Sequence, residues 1–289
     1  MAYASCATFQ PLSNSLGAEV TNFDVKHYIK SGSADKFHDE VCEYQLLCFR
    51  NQKLAACDLI SLTKLLGPPL PHVLQQYSLS GSPEIYVLSN IVENEKPIGN
   101  PREGFGWHTD LAYMRKPAAY TILYGVEVPE VGADTLFASL YKMWDWMADE
   151  EKSYIRKLRG RYSYLKLYEQ RENAEPLTEA QKQRTPDVIH PFARIHPKSG
   201  REGLYIGGDD FVAVEGSNKP EHDFDRIWSL FHDTTVRFHY NHKWQPNDLL
   251  IWDNRGLIHT ATDYDTKNSR RLIWRTSVEG EEPIASKLT

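Results

Sequence analysis

The sequence predicts a mainly β chain with flanking helices, arranged as a β-sandwich or jelly roll. Three observations carry that expectation. Short apolar runs of strand length recur along the chain, few segments have helical spacing, and no alternating βαβ rhythm appears. The chain has 289 residues, 41% hydrophobic and 25% charged, so it can bury a large core and is neither disordered nor fibrous in composition. No break in composition divides it, and a single domain over residues 1–289 is expected.

The elements follow in order. Residues 9–20 contain turn residues and read as short strands. Segment 35–44 places Phe37, Val41, Cys42 and Tyr44 at near-helical spacing. Leu46-Leu47-Cys48-Phe49 is a buried strand, and 58–66 is a helix stopped by Gly67 and Pro68-Pro69. Segment 84–88 is another strand. Residues 90–106 are polar and rich in Gly, Pro and Asn, which predicts a long loop and a candidate lid. Strands at 119–128 and 134–137 flank the turn Pro129-Glu130-Val131-Gly132, and 140–158 reads as one helix. Residues 169–186 are charged without a clear pattern, as in a surface insertion or a second lid. Leu204-Tyr205-Ile206 is a strand. A helix over 224–238 aligns Phe224, Ile227, Trp228, Phe231 and Thr235 on one face. A turn at Pro246-Asn247-Asp248, a strand at 249–252 and a final strand at 271–278 complete the chain.

Composition also bounds the partners. A net charge of -6 with no clustered basic face argues against nucleic acid. Residues 1–20 lack a basic stretch followed by an apolar core, so no secretory signal is expected, and the apolar runs are too short for a bilayer. Cys6, Cys42, Cys48 and Cys57 form no C-x-x-C pair and read as reduced thiols. Cytoplasm is the expected location.

Three segments carry chemistry. In Trp107-His108-Thr109-Asp110, a strand would turn His108 and Asp110 to one face, where imidazole and carboxylate could share a divalent metal. An H-x-D tripeptide alone does not separate a metal site from coincidence. Downstream, the apolar strand 249–252 ends in Asp253-Asn254-Arg255 and leads to His259. His259 is either a third ligand at the mouth of a barrel or a core histidine satisfied by backbone. Two histidines and a carboxylate that leave positions open form the facial triad of non-haem Fe(II) oxygenases. The third segment is Arg270-Arg271-Leu272-Ile273-Trp274-Arg275-Thr276-Ser277-Val278. On a strand, Arg271 and Arg275 share a face about 13 Å apart, at roughly 3.3 Å per residue. They either line a cavity for two anionic groups or solubilise an exposed face.

Together these motifs resemble the taurine / 2,4-dichlorophenoxyacetate dioxygenase (TauD/TfdA) family of Fe(II)/2-oxoglutarate enzymes. The resemblance runs nearly end to end: Leu16-Gly17-Ala18-Glu19-Val20, Leu46 to Gln52, Trp107 to Asp110, Gly132-Ala133-Asp134-Thr135-Leu136, Trp244 to Asp248, Trp252-Asp253-Asn254-Arg255, His259 and Arg270-Arg271. It implies a double-stranded β-helix. It implies His108, Asp110 and His259 as iron ligands, hence as the catalytic residues. Thr135 and Arg271 would hold the distal carboxylate of 2-oxoglutarate, and Arg275 the substrate's anionic group. His72, within Leu70-Pro71-His72-Val73, matches a substrate-contacting histidine, with a surface-loop histidine as its alternative. Tyr164 falls near a pocket-lining aromatic, although Tyr162 and Tyr164 could simply alternate on a strand. Gly104-Phe105-Gly106 departs from the polar residues that the taurine enzyme carries before its Trp-His-Thr-Asp, which argues against taurine itself.

The resemblance implies Fe(II) as cofactor and 2-oxoglutarate and O2 as co-substrates. A C–H bond of a small anionic metabolite (an amino acid, sulfonate, phosphonate or other carboxylate) would be oxidised with release of succinate and CO2. Hydroxylation is the default outcome; desaturation, cyclisation and bond cleavage use the same ligands. The resemblance also admits a homo-oligomer, since family members are often dimers or tetramers. Asp110 supplies a protein carboxylate where a halogenase would take a halide. The residues also admit a cupin-like protein that binds metal or ligand without oxidation, or a metal-dependent hydrolase. The arginine pair favours the oxygenase, because a hydrolase needs no second acid anchor.

Overall fold

The computed structural model describes residues 7–31, 33–101, 103–170 and 176–287. Eight strands form the main sheet. Their spatial order is Thr8–Pro11, Ala18–Thr21, Leu46–Phe49, Leu249–Asp253, Ala118–Glu127, Leu272–Glu279, Ser82–Ser89 and Ser78–Leu79. The central strand Ala118–Glu127 pairs antiparallel with Leu249–Asp253 on one side and Leu272–Glu279 on the other. Among the described strand pairings of this sheet, that of Ala18–Thr21 with Leu46–Phe49 alone is parallel.

Strand period explains the two cores. Leu249 and Ile251 point to one face of the sheet, Leu250 and Trp252 to the other. The first face packs with Phe37, Val41, Leu59 and Leu62 of the helices Ala34–Tyr44 and Ala56–Leu66. The second face packs against Phe137 and Ala138. These belong to a smaller sheet in the order His239–His242, Thr135–Ser139, Leu257–Ala261. The apolar central strands are therefore buried on both sides. The chemistry-bearing residues stand between the two sheets.

Most expected elements form near their expected positions, and the departures have local causes. The helix expected over 140–158 is two helices, Leu140–Trp146 and Asp149–Ile155. Met147 and Ala148 between them are extended, and Asp149, Glu150 and Glu151 fill a new acidic first turn that suits a helix N-terminus. The strand expected at Leu204-Tyr205-Ile206 is Glu202–Leu204; Tyr205 leaves it to donate to the Phe192 carbonyl at 2.7 Å. The last long strand begins at Leu272, and a short strand, Ile284–Ala285, follows it. Segment 90–106 contains the paired strands Val92–Glu93 and Lys96–Pro97. Asn100 anchors it by accepting from Ser89 N and donating to Val87 O. Arg102 of this segment lies outside the described residues. Within 169–186, residues 171–175 also lie outside them, while Glu179–Arg184 is a helix capped by Thr178 and Gln181. Cys42, Cys48 and Cys57 are free thiols, and Cys6 lies outside the described residues. Among the described residues no helix is long and apolar enough to cross a membrane.

Candidate active site

His108 and Asp110 do not sit on a strand. Residues 104–113 are turns and bends, and His108 touches the smaller sheet through one bridge, exchanging both backbone hydrogen bonds with His259 at 2.9 Å. Gly106 makes this loop work. Its φ of +81° is a left-handed conformation that favours glycine, and its carbonyl accepts from His108 Nδ1 at 2.7 Å. A carbonyl only accepts, so Nδ1 carries a proton, and Nε2 is the ring nitrogen turned toward Asp110, 3.7 Å away. Behind the loop, a Cβ on Gly208 would stand 2.3 Å from the Trp107 carbonyl oxygen, so only glycine lets the 207–210 turn press against the His108 backbone.

Asp110 is 2% exposed. Thr121 Oγ1 donates to its Oδ2 at 2.7 Å, Arg275 Nη2 lies 3.2 Å from Oδ1, and His259 Nε2 lies 3.6 Å from Oδ2. Burial pushes the carboxyl pKa up; Arg275, His259, His108 and Thr121 more than reverse this and hold it well below the usual range. Burial, with His108 nearby, pushes His259 down to about 3 despite the attraction of Asp110. His259 is therefore neutral at ordinary pH and keeps a lone pair. The ligand-capable atoms of His108, Asp110 and His259 lie within 4.8 Å of one another. Two imidazoles and one ionised carboxylate fit a divalent metal in the facial-triad pattern.

Arg271 and Arg275 are buried, not a solubilising face. Arg271 lines a narrow cavity with Thr135, His259 and Leu123. Its Nε has no hydrogen-bond partner, and burial lowers its pKa, with Tyr264 as the opposing influence. Thr135 Oγ1 accepts from Trp244 Nε1 at 2.9 Å, which leaves the hydroxyl proton to be given to another acceptor. A buried cation with an idle donor, next to a hydroxyl that can donate, fits one end of a dicarboxylate. Arg275 also lines this cavity, and it belongs as well to a larger one of about 210 Å³ walled by His72, Phe105, Trp107, Tyr113 and Leu167.

His72 is buried rather than a surface-loop residue. Its Nδ1 accepts from Leu74 N at 3.1 Å, and its ring centroid lies 4.0 Å from that of Tyr86. Tyr164 begins the helix Tyr164–Glu169, so the strand alternation with Tyr162 does not occur. Tyr164 does not line the larger cavity; its ring packs 4.3 Å from Tyr113, which does. The reason is the cap at Ser163, which starts the helix with Tyr164 turned inward and leaves Leu167, about one turn on, to face the cavity.

The taurine catabolism dioxygenase TauD, TfdA family matches residues 8–277. The chain belongs to this family. The α-ketoglutarate-dependent 2,4-dichlorophenoxyacetate dioxygenase of Cupriavidus pinatubonensis is 28% identical over 93% of this chain and 96% of its own length. The (S)-phenoxypropionate/alpha-ketoglutarate-dioxygenase of Sphingobium herbicidovorans is also 28% identical, over 94% of each chain. A solved taurine dioxygenase from Burkholderia xenovorans, 23% identical, shares the fold with a TM-score of 0.77 over 96% of this chain and 93% of that one. This TauD/TfdA chain is a 2-oxoglutarate-dependent dioxygenase.

The TauD/TfdA chain holds a second trio of metal-binding type, Cys42, His196 and Asp253, also within 4.8 Å. His196 Nδ1 accepts from the backbone N–H groups of Lys198 and Ser199 at 3.2 and 3.1 Å. Its Nε2 therefore carries the proton and donates to Asp253 Oδ2 at 2.9 Å. Arg255 grips both carboxylate oxygens, at 2.7 and 2.8 Å. Burial, then Asp253, pushes the Cys42 thiol up to about 12. Cys42 Sγ in turn lies 3.7 Å from Asp253 Oδ2 and 3.6 Å from His196 Nε2, so each member is already met by the others or by Arg255, as in a structural clasp.

Thr121 and Tyr113 lie in no sequence motif, and Trp252 and Asn254 fall in the Trp252-Asp253-Asn254-Arg255 motif, which by itself assigns them no role. Thr121 sits inside an ordinary apolar strand and gives no local signal. Its value comes only from standing opposite Trp252 in the sheet.

Proposed function

We propose that this dioxygenase holds Fe(II) on His108, Asp110 and His259, and 2-oxoglutarate by its distal carboxylate on Arg271 and Thr135. Its substrate is a small anionic metabolite whose charged group meets Arg275, with His72 and Tyr113 forming part of the wall and Tyr164 backing Tyr113. The eight-stranded and three-stranded sheets are read as the two walls of a double-stranded β-helix. When bound, iron, 2-oxoglutarate and O2 supply the oxidising power, with succinate and CO2 as by-products. Hydroxylation is the default outcome.

The chain's own work is positioning and exclusion. Neutral His259 and the Nδ1-protonated tautomer of His108 present lone pairs to the metal. The ionised Asp110 supplies the charge. Arg271 and Thr135 set how deeply the co-substrate enters, and Arg275, at the junction of the two cavities, sets the substrate relative to it. The walls around His259, Trp252 and Phe137 keep water away from that side of the site. Free thiols at Cys42, Cys48 and Cys57 accord with a reducing compartment, the cytoplasm.

The single observation that carries this reading is Arg271. A buried guanidinium with an idle Nε, beside a trio with open lone pairs, calls for an anionic partner inside the protein. A water-activating hydrolase has no use for it. The test is anaerobic absorption of the Fe(II) protein on adding 2-oxoglutarate. A metal-to-ligand charge-transfer band is expected. Arg271→Ala should weaken 2-oxoglutarate binding by at least about 30-fold, the lower end of about 2–5 kcal/mol for truncating a buried hydrogen-bonded charge pair. No band, together with unaltered binding in Arg271→Ala, would defeat the reading. A substrate panel of amino acids, sulfonates, phosphonates and aryloxy acids, read by succinate formation coupled to a new product, tests the role of Arg275. Turnover confined to cationic or neutral compounds would remove that role.

A further inference from the structure

Asp110 is met by a chain of side chains that no metal contact requires. Thr121, Asn254 and Trp252 are each 1% exposed or less. Trp252 Nε1 donates to Asn254 Oδ1 at 2.8 Å, Asn254 Nδ2 donates to Thr121 Oγ1 at 2.9 Å, and Thr121 Oγ1 donates to Asp110 Oδ2 at 2.7 Å. The direction of every bond is determined. An indole N–H can only donate, so it fixes the Asn254 amide with oxygen toward Trp252 and nitrogen toward Thr121. The amide N–H then occupies the acceptor side of the hydroxyl. The Thr121 proton is left with one destination, the carboxylate.

The backbone holds this chain as firmly as the side chains do. Thr121 lies on the central strand, paired with Trp252 on one side and Ser277 on the other, and Asn254 N donates to the Ala119 carbonyl at 2.9 Å. The same Trp252 ring packs edge-on against His259, with centroids 4.6 Å apart. One indole therefore bears on two of the three ligand-capable residues: by ring contact on His259, and by its N–H, through Asn254 and Thr121, on Asp110.

We propose that Thr121, Asn254 and Trp252 are positioning residues that orient the Asp110 carboxylate for the metal and couple its orientation to that of His259. The proposal rests on the reading of Asp110 as a ligand. A carboxylate on a free rotor can swing, offer both oxygens or leave the metal. One oxygen tied to a strand-borne hydroxyl limits the group to a single presentation, and outer partners of this kind typically account for about 10–100-fold in metal affinity.

The test is Mn(II) binding to the full-length metal-free protein, followed by the loss of the free-ion electron paramagnetic resonance signal. Mn(II) serves as a spectroscopic probe of the proposed iron site. Thr121→Val keeps the shape and removes the hydroxyl; Thr121→Ser keeps the hydroxyl. Thr121→Val is expected to weaken Mn(II) binding by about 10–100-fold, while Thr121→Ser stays within about 3-fold of wild type. Asn254→Asp gives a second route if Thr121→Val does not fold. Its new carboxylate would draw the Thr121 proton away from Asp110, and the same weakening is expected. A lower melting temperature of the metal-free protein would follow from any packing role, whereas rescue of metal affinity by serine would not. If both hydroxyl-deficient and serine variants bind Mn(II) like wild type, or both weaken alike, the relay is overturned. If Asp110→Asn binds Mn(II) like wild type, the metal reading itself fails, a different outcome from failure of the relay alone.

Discussion

Around His259 and around Asp253 the protein gathers similar side chains within the same 4.8 Å. Around Asp253, every acceptor is met from its own neighbourhood: both carboxylate oxygens by Arg255, His196 Nδ1 by two backbone N–H groups, and the Nε2 proton by Asp253. Around His259 the matching is deliberately incomplete. His108 Nε2 and His259 Nε2 face Asp110 from 3.7 and 3.6 Å, beyond hydrogen-bond reach, and the Arg271 Nε donor is idle nearby. The contrast teaches that residue type and separation do not define a metal site. What defines it is the set of donors and lone pairs that the fold leaves unmet, at a cost in desolvation that only a ligand can recover.

The largest expected effect separates the two trios by metal content. Asp110→Ala should lose metal affinity by more than the roughly 10–100-fold typical of an outer partner, with turnover lost alongside, whereas His196→Ala should leave metal stoichiometry at the wild-type value. Metal analysis of the purified variants after dialysis checks both, and equal losses would erase the distinction. Next in size is stability. Asp253→Ala strands the Arg255 guanidinium in the interior and should cost about 3–5 kcal/mol in a denaturant titration, without abolishing metal binding by whatever fraction remains folded.

Acid should sharpen the same contrast. The Asp253 carboxyl is held well below the usual range by Arg255 and His196, against burial. In the unfolded chain it titrates near its ordinary value of about 4. Below that pH the unfolded state binds the proton first, so the clasp's contribution is present above about pH 4 and is lost as pH falls toward the folded-state value. Asp253→Asn should flatten the acid limb of stability against pH; an unchanged slope would show that the clasp does not titrate this way. The smallest effect concerns thiol chemistry. With Cys42 pushed up to about 12, thiol alkylation of the native protein near neutral pH should mark exposed Cys57 first and spare Cys42. Peptide mapping by mass spectrometry reads the order.

Much of the fold was legible because its signals are local. The helices Ala34–Tyr44 and Ala56–Leu66 and the strands Leu46–Phe49 and Leu249–Asp253 each carry their period and stop signals within a few residues. The expected strand under His108 and Asp110 was not there, because glycines at 104 and 106 hold left-handed backbone that a ladder does not use. The two residues still converge, through a turn rather than by strand alternation. The alternative reading of Tyr162 and Tyr164 as a strand alternation fails for a similar reason: one serine cap makes Tyr164 a helix start.

By itself the sequence determined the family, through ordered motifs from Leu16 to Arg271, and with it the residue types brought to the site. It also determined which strands would be buried, through their apolar runs. Only the tertiary structure decided which of two ligand-like trios is open. It decided that Arg271 and Arg275 are buried cations rather than an exposed stripe, and that Thr121 speaks to Asp110. These are questions of which donor meets which lone pair. Their answers depend on pairings such as Thr121 with Trp252, more than a hundred residues apart in the chain, which no local period encodes.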